Sequence, residues 1–379
     1  MRAITPLISG CDIFEDMKLS PFHSMHVSRD AHMTPFYDWR LPLSFSPNFS
    51  PLEEAREARR GALIFDISHM NRISITGRSA IALVSKITRS NVEMKDFFRY
   101  SLILSDHCFI IDDAMIHASH KQVLLVCNAS QKQSVHARIQ ETISQLALQN
   151  ESIQWKEHTT PSIAIQGKKF ALTKGPKAKE ILQDLVQNSE NIYFGQIAPI
   201  PGVGTLARTG YSGEDGFEGV SFCEHAIGKY QFLKWAGLGA RNILRLEAGL
   251  PLSGVDFSSN RRGSLAEFVT PKRAGLSWAV SEMSSVELDD PYKRTGFILD
   301  SVIPAKEGAP INELTGHKVG EITSSCPSPT LGKTIAMGYL HVSAKGPFVV
   351  PVGASFSAHA TKVTLPFIPH SFYRKSPAS

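Results

Sequence analysis

A chain of 379 residues exceeds the ~250 to 300 at which one hydrophobic core usually stops growing, so two or three packed domains are expected. With 42% apolar and 20% charged residues, the composition is that of an ordinary globular enzyme or binding protein and excludes a largely disordered chain. A formal net charge of +5, with no long Lys/Arg run, excludes a nucleic-acid arm and favours an acidic partner or polyanionic ligand.

Five scattered cysteines, Cys11, Cys108, Cys127, Cys223 and Cys326, include no CxxC pair. That argues against a zinc ribbon, an iron–sulfur site or a disulfide framework, so buried free thiols in a reducing compartment are expected, and no metal. No apolar run reaches the ~18 to 20 residues of a membrane span, so no membrane partner is expected. The opening residues carry Glu15 and Asp16 without a continuous apolar core, unlike a secretory signal. The expected location is the bacterial cytoplasm, with a mitochondrial matrix as the alternative.

In chain order, LEEAREARR (52–60) is built of good helix formers and stops at Gly61, which predicts a helix. Its Arg56, Arg59 and Arg60 read as a solvated face. ALIFDISHMNRISITG then reads as one or two strands closed by Gly77, and RSAIALVSKIT as the next helix. IIDDAMIH (110–117) and QVLLVCN (122–128) read as strands of a hairpin, joined by the polar tip ASHK. QKQSVHARIQETISQLAL is an amphipathic helix with Val135, Ile139, Ile143, Leu146 and Leu148 on its apolar side.

Further on, PSIAIQG predicts a strand, KAKEILQDLV a helix, and TLARTGYSGEDGFEGVSF two strands around a glycine turn. GLGARNILRLEAGL predicts a helix between Gly239 and Gly249. From about residue 290 short strands are punctuated by Gly and Pro, which predicts a separate antiparallel barrel or sandwich of about 85 residues. No repeat of 20 to 50 residues is present, which excludes solenoids and propellers.

Three stretches combine charge with glycine in ways that packing does not require. Consecutive strand side chains point to opposite faces, so Asp112 and Asp113 cannot both enter one core. One of them must face solvent, a partner group or a cavity. In ARTGYSGEDGFEGV (207–220), Glu214 and Asp215 read as solvated turn acids, while Glu218 falls inside the returning strand and is the better ligand candidate. In GLGARNILRLEAGLPLSGVD (237–256), Arg241 and Arg245 share a helix face. A cation near a helix start, as at Arg241, makes most sense with something negative held against it. An ion pair with Glu218 or Glu247 is one way to supply that charge. Nucleotide loops, HExxH and GxSxG are absent, and His117 with His120 reads as an exposed hairpin tip.

Taken together these stretches resemble a known family. FDISHM (65–70), IIDDAMI (110–116), IAIQGKK (163–169), RTGYSGEDGFE (208–218), GLGARNILRLEAGLPLSGVD (237–256) and TSSCPSPTLGKTIAMGYL (323–340) occur in the order and spacing of the glycine cleavage system T protein. MTPFYDWRLPLSF (33–45) and KVTLPFIPHSFY (362–373) resemble its opening and terminal strands, so the resemblance runs from about residue 20 to 373. The family comprises folate-dependent aminomethyltransferases.

The resemblance implies an α+β fold: a three-domain cloverleaf of mixed and antiparallel sheets, with folate in a central channel. Residues 20–50 with 155–285 would form one folate-binding domain, 51–154 a second carrying the catalytic Asp strand, and 290–375 a C-terminal antiparallel β-barrel. The implied reaction moves the methylene group of the aminomethyl-lipoyl arm of H protein to tetrahydrofolate, releasing ammonia and forming 5,10-methylenetetrahydrofolate. The lipoylated H protein and tetrahydrofolate are thus the implied partners. Matched motif by motif, Asp113 is the catalytic carboxylate, and Met70, Tyr100, Glu218 and Arg241 contact folate. The family's C-terminal folate-contacting tyrosine aligns with Phe372, and the adjacent Tyr373 is the candidate to take its place. Two glycines usual before the Asp strand are here Cys108 and Phe109, and Lys168 replaces a proline. Alternatives on this fold are a methyl or methylene transferase using another small donor and a catalytically silent folate-binding paralogue.

Overall fold

The computed structural model describes residues 16–45, 49–146, 153–167, 191–200, 204–220, 233–258, 261–281 and 290–374. The helix expected over KAKEILQDLV, the positions Leu148 and Lys168, and Cys11 and Cys223 lie outside the described residues. Among the described residues no helix is long and apolar enough to cross a membrane.

The strand alternation of the first half builds a five-stranded sheet in the order Arg99–Leu104, Ile110–Ala118, Val123–Cys127, Asn71–Thr76, Gln154–His158, with every pair antiparallel. Ile110–Ala118 and Val123–Cys127 form the expected hairpin, with Ala118 opposite Val123. One face of this sheet packs on the helices Ala80–Thr88 and Lys132–Leu146 through Ile73, Leu83, Ile87, Ile116, Leu125, Val135 and Ile139. Each fully buried Ile or Leu contributes roughly 1.5–3 kcal/mol relative to exposure, so this face fixes the sheet's register.

A six-stranded sheet runs Ile197–Ile200, Gly204–Ala207, Gly216–Val220, Ser162–Gln166, Leu63–Asp66, Lys234–Ala236, the last pair parallel. Its central strands are buried on both faces. On one side lie Ile64, Ile163, Phe217 and Trp235. On the other, Leu63, Phe65 and Ala164 meet the helices Pro51–Arg60 and Leu238–Glu247. Small residues Ala55, Ala58 and Ala240 at that seam let the two helices approach each other closely. Pro51 opens the first of them behind Ser50, whose side chain accepts from Glu53 N, and Gly61 closes it.

Leu63–Asp66 hydrogen-bonds within the six-stranded sheet, and the helix Pro51–Arg60 packs on it. Gln154–His158 closes the five-stranded sheet against Asn71–Thr76. The short strand Lys18–Leu19 and the hairpin Ala31–Phe36, Trp39–Phe45 make a third, three-stranded sheet. Asp66 pins the segment before that hairpin by accepting from Ser20 and from Ser68 N (2.9 Å) and by pairing with His26 at 2.8 Å.

From residue 292 the chain forms a closed six-stranded antiparallel barrel ordered Tyr292–Leu299, Lys333–His341, Lys318–Ser328, Pro310–Glu313, Phe348–Val352, Phe356–Val363. Its interior holds Phe297, Ile311, Ile322, Ala336, Val350 and Ala358. The barrel seats on the helix Leu238–Glu247 through Cys326, Ile335 and Met337. A polar tie reinforces that seat: Arg245 pairs with Asp256 at 2.6 Å and donates to Ser324 Oγ at 2.8 Å.

Two expectations about charge are corrected here. Glu214 and Asp215 are buried, not solvated, because each has a guanidinium: Arg59 Nη1 donates to Glu214 at 2.6 Å, and Arg208 pairs with Asp215. Arg59 accordingly faces inward, whereas Arg56 and Arg60 are exposed as expected. Cys108, where the resemblance implies a glycine, keeps a left-handed backbone (φ 65°) in a turn closed by Cys108 N donating to Ser105 O at 3.0 Å. Phe109 then lies against Phe268, ring centroids 5.3 Å apart, and the strand resumes at Ile110. Cys108, Cys127 and Cys326 are buried free thiols.

Candidate active site

A cavity of about 1200 Å³ opens where the two large sheets, the small hairpin and the barrel meet. Thr34 and Phe36 reach it from the hairpin, Met70, Tyr100, Asp113 and Asn128 from the five-stranded unit, Glu218 and Arg241 from the six-stranded one. Arg294 and Ser324 reach it from the barrel, and Phe372 from the C-terminal segment. Five of the six residues singled out in the sequence therefore line one space.

Strand geometry separates the acid pair as expected. In Ile110–Ala118 burial alternates residue by residue: Asp112, Ala114 and Ile116 lie on the helix-packed core face and Asp113 and Met115 on the cavity face, while Ile110, beyond a register shift, packs with Leu102 and Leu104. Asp112 is fully buried and accepts from Asn128 N and Asn128 Nδ2, both at 2.9 Å. Asn128 Nδ2 also donates to Asp113 Oδ1 at 2.6 Å. Burial raises both carboxyls above the ordinary range, and the Asp113 charge adds to the rise at Asp112. The rise is the larger at Asp112, so on raising the pH Asp113 ionises first and the negative charge appears on the cavity side.

Tyr100 lies beside this acid, its ring stacked on Trp278 at 5.3 Å. Its hydroxyl is buried, and burial together with the Asp113 charge pushes it well above the usual phenol range. It is thus a neutral O–H that can donate into the site. Arg241, in the first half of the helix Leu238–Glu247, is enclosed and lies over the Tyr211 ring at 5.0 Å. Burial lowers its pKa, against the opposing pull of Glu218. Neither expected ion pair closes: among the described residues Arg241 has no carboxylate within salt-bridge distance, and Glu218 accepts from Thr209 Oγ1 at 2.8 Å. Glu247 is occupied by Arg59, Ser328 and Thr330. A partly buried cation and a partly buried carboxylate are thus both left facing the cavity, which is costly unless a ligand completes them.

Arg245 diverges from Arg241 despite their shared face, its guanidinium committed to Asp256 and the barrel. His69, next to Met70 on the wall, is held neutral: burial first, then Arg241, drive its pKa well below the ordinary value. Tyr373 is the residue the structure does not bring to the cavity. Its ring covers the Arg208 guanidinium at 4.1 Å and stacks on Tyr193 at 5.5 Å. Phe372 lines the cavity instead, stacked on Phe194 at 4.1 Å. Sequence reasoning missed Asn128, which reads only as the end of a strand. The signal available was a polar residue at the end of the strand paired with the two acids. Trp278 and Arg294 carried no signal, because the first is placed by its stacking on the distant Tyr100 and the second by how the barrel docks.

Taken as chemistry, the site offers an ionisable carboxylate oriented by an amide, a phenol donor beside it, and a cation with a second acid further along the wall. Such a set can position a flat, polar-edged ligand and move a proton at it.

Comparison with known proteins agrees with this architecture. Residues 22–283 match the family described as the GCVT N-terminal domain, and residues 293–368 the glycine cleavage T-protein C-terminal barrel domain. An aminomethyltransferase of Deinococcus deserti is 33% identical over 93% of this chain and 97% of its own length. The mitochondrial aminomethyltransferase of Solanum tuberosum is 29% identical over 95% of this chain and 92% of its own. Among solved structures, the glycine cleavage system aminomethyltransferase T of Bartonella henselae superposes with a TM-score of 0.81 at 26% identity, covering 94% of this chain and all of that one. With both halves of the fold matched in order and the acid strand, cavity and barrel in place, the chain belongs to the glycine cleavage T-protein family.

Proposed function

We propose that the cavity holds tetrahydrofolate as co-substrate and that Asp113 is the residue that handles its reacting nitrogen. The chain is an aminomethyltransferase of the glycine cleavage system type, and folate is the co-substrate the family uses. In the overall transfer the carbon of the aminomethyl-lipoyl donor exchanges its C–S and C–N bonds for bonds to N5 and N10 of the folate, whose two N–H protons leave with ammonia and the freed thiol. Among the chain's residues, Asp113, with one oxygen fixed by Asn128, orients the acceptor nitrogen and receives a proton from it. Tyr100 donates into the same region from its buried hydroxyl. Glu218 accepts from the amino-pyrimidine edge, and Arg241 supplies a forked donor to a carbonyl or carboxylate acceptor. Met70 and Phe372 supply the apolar walls against which a flat ring lies.

The single observation that carries this reading is the concurrence, in one cavity, of the Asp113 carboxylate with an enclosed Arg241 and Glu218 that lack each other as partners. A pterin has donors and acceptors on its edges to complete all three. We assign the carrier role to a lipoylated H protein, and the two N-terminal sheet units to folate binding. We assign the reaction to the cytoplasm, with the matrix as the alternative because the potato and fission yeast relatives carry mitochondrial names. The test uses purified H protein loaded with the aminomethyl intermediate. Tetrahydrofolate-dependent ammonia release is expected. Folate binding without ammonia release from that carrier would contradict the assigned donor.

A further inference from the structure

Asp112 has no part in the role given to Asp113, yet the strand keeps a second acid in its core. Its neighbours on that face, Ile103, Ala114 and Ile116, call for an apolar residue, and a carboxylate there is expensive to bury. What Asp112 does is hold one residue with both oxygens: Asn128 N donates to Oδ2 and Asn128 Nδ2 to Oδ1. An amide nitrogen carries two hydrogens, and the second goes to Asp113 Oδ1. A flip of the amide would turn its oxygen against the Asp113 carboxylate, so once Asp113 is ionised the amide has one orientation. Among the described residues the Asn128 carbonyl oxygen has no protein donor, and it belongs to a residue that lines the cavity.

We infer that Asp112 is a positioning residue for the transfer: by locking the Asn128 amide it commits Asp113 Oδ1, leaves Asp113 Oδ2 for the reacting group, and reserves the Asn128 carbonyl oxygen for a ligand N–H. The inference rests on the reading of Asp113 given above and extends it by one residue. Asp112 acts only through Asn128 and touches no substrate. The other groups around the pair are Tyr100 on the neighbouring strand, Cys127 beside Asn128, and Tyr211 across the cavity, with Ser253 and Tyr37 on the side of Asp112.

The consequence is read in the pH profile. The Tyr100 hydroxyl and the Asn128 amide both favour the ionised form of Asp113, and only the second depends on Asp112. In Asn128→Ala the acid limb of kcat/KM therefore moves to higher pH by about one unit. In Asp112→Asn the new amide can match only one of the two Asn128 donors, so the clamp loosens and the limb moves the same way. The double variant moves no further than Asn128→Ala alone, because Asp112 has nothing left to act through. The position of the limb does not depend on how much of the protein is folded, so a purely structural role for Asp112 lowers the rate and leaves the limb in place. An unmoved limb in Asp112→Asn, or shifts that add in the double variant, would overturn the inference. Asp113→Asn run in parallel separates the two proposals: full transfer by that variant overturns the reading of Asp113 itself. An inactive Asp113→Asn beside an Asp112→Asn with the wild-type limb overturns only the role of Asp112.

Discussion

Arg59 and Glu247 form a buried fork, Nη2 and Nε of the arginine lying 2.7 Å and 3.0 Å from the same carboxylate oxygen. Glu247 ends the helix that carries Arg241, and the other arm of Arg59 reaches Glu214, in the turn that leads into the strand of Glu218. One guanidinium therefore sets the two ligand-facing groups at a fixed spacing. Removing it strands two buried carboxylates. Arg59→Met is expected to lose about 3–5 kcal/mol of stability, measured by denaturant unfolding. A loss under ~1 kcal/mol would mean that the fork is not a structural tie.

Arg241 is expected to act on binding and not on the fold, since its guanidinium holds no carboxylate partner among the described residues. Arg241→Gln should raise the KM for tetrahydrofolate roughly tenfold to a hundredfold, the worth of one charge-assisted hydrogen bond. Its thermal midpoint should stay near that of the wild type. An unchanged KM would remove Arg241 from the folate site.

Glu54 predicts a pH dependence of stability. Its carboxyl accepts from Phe45 N at 2.7 Å and Gly237 N at 2.9 Å, and burial pushes its pKa from 4.5 to about 7 despite those donors. The unfolded chain releases this proton near the ordinary value and the folded chain only at the higher one. The stability held by the protonated form is therefore complete below the ordinary carboxyl value and is lost as the pH rises through about 7. Glu54→Gln should flatten that decline by on the order of 3 kcal/mol. Parallel stability curves for the two proteins between acid and neutral pH would contradict it.

Cys108 tests whether the turn before the Asp strand tolerates its side chain. Its left-handed backbone is disfavoured for any residue with a Cβ and worst for a branched one. Cys108→Gly trades that strain against a lost buried thiol and a more flexible unfolded chain, so stability should change by less than about 1 kcal/mol. Cys108→Val should cost about 2 kcal/mol or more. Equal stability of the two variants would show that the turn relaxes on substitution.

Much of the fold was legible because it follows from short-range periods. The alternation in IIDDAMIH fixed a strand, its polar tip fixed the hairpin, and strand geometry alone forced Asp112 and Asp113 onto different faces. The glycine turn put Glu218 on a returning strand for the same local reason. What could not be read was decided across long separations. Arg59 is 188 residues from Glu247 and 155 from Glu214, so neither its burial nor theirs has a local signature. The pairing of Leu63–Asp66 with Ser162–Gln166 is decided at long range in the same way. Tyr373 shows the limit at single-residue scale: Arg208 draws its ring away and leaves Phe372 at the wall.

The central claim is that Asp113 performs chemistry in a folate cavity and does not merely help to form it. Its most direct measurement is tetrahydrofolate binding by Asp113→Asn beside its transfer rate from loaded H protein. Folate affinity within about tenfold of the wild type is expected, with a transfer rate lower by roughly a hundredfold or more, the usual contribution of a positioned acid or base. Transfer at the wild-type rate by this variant would contradict it.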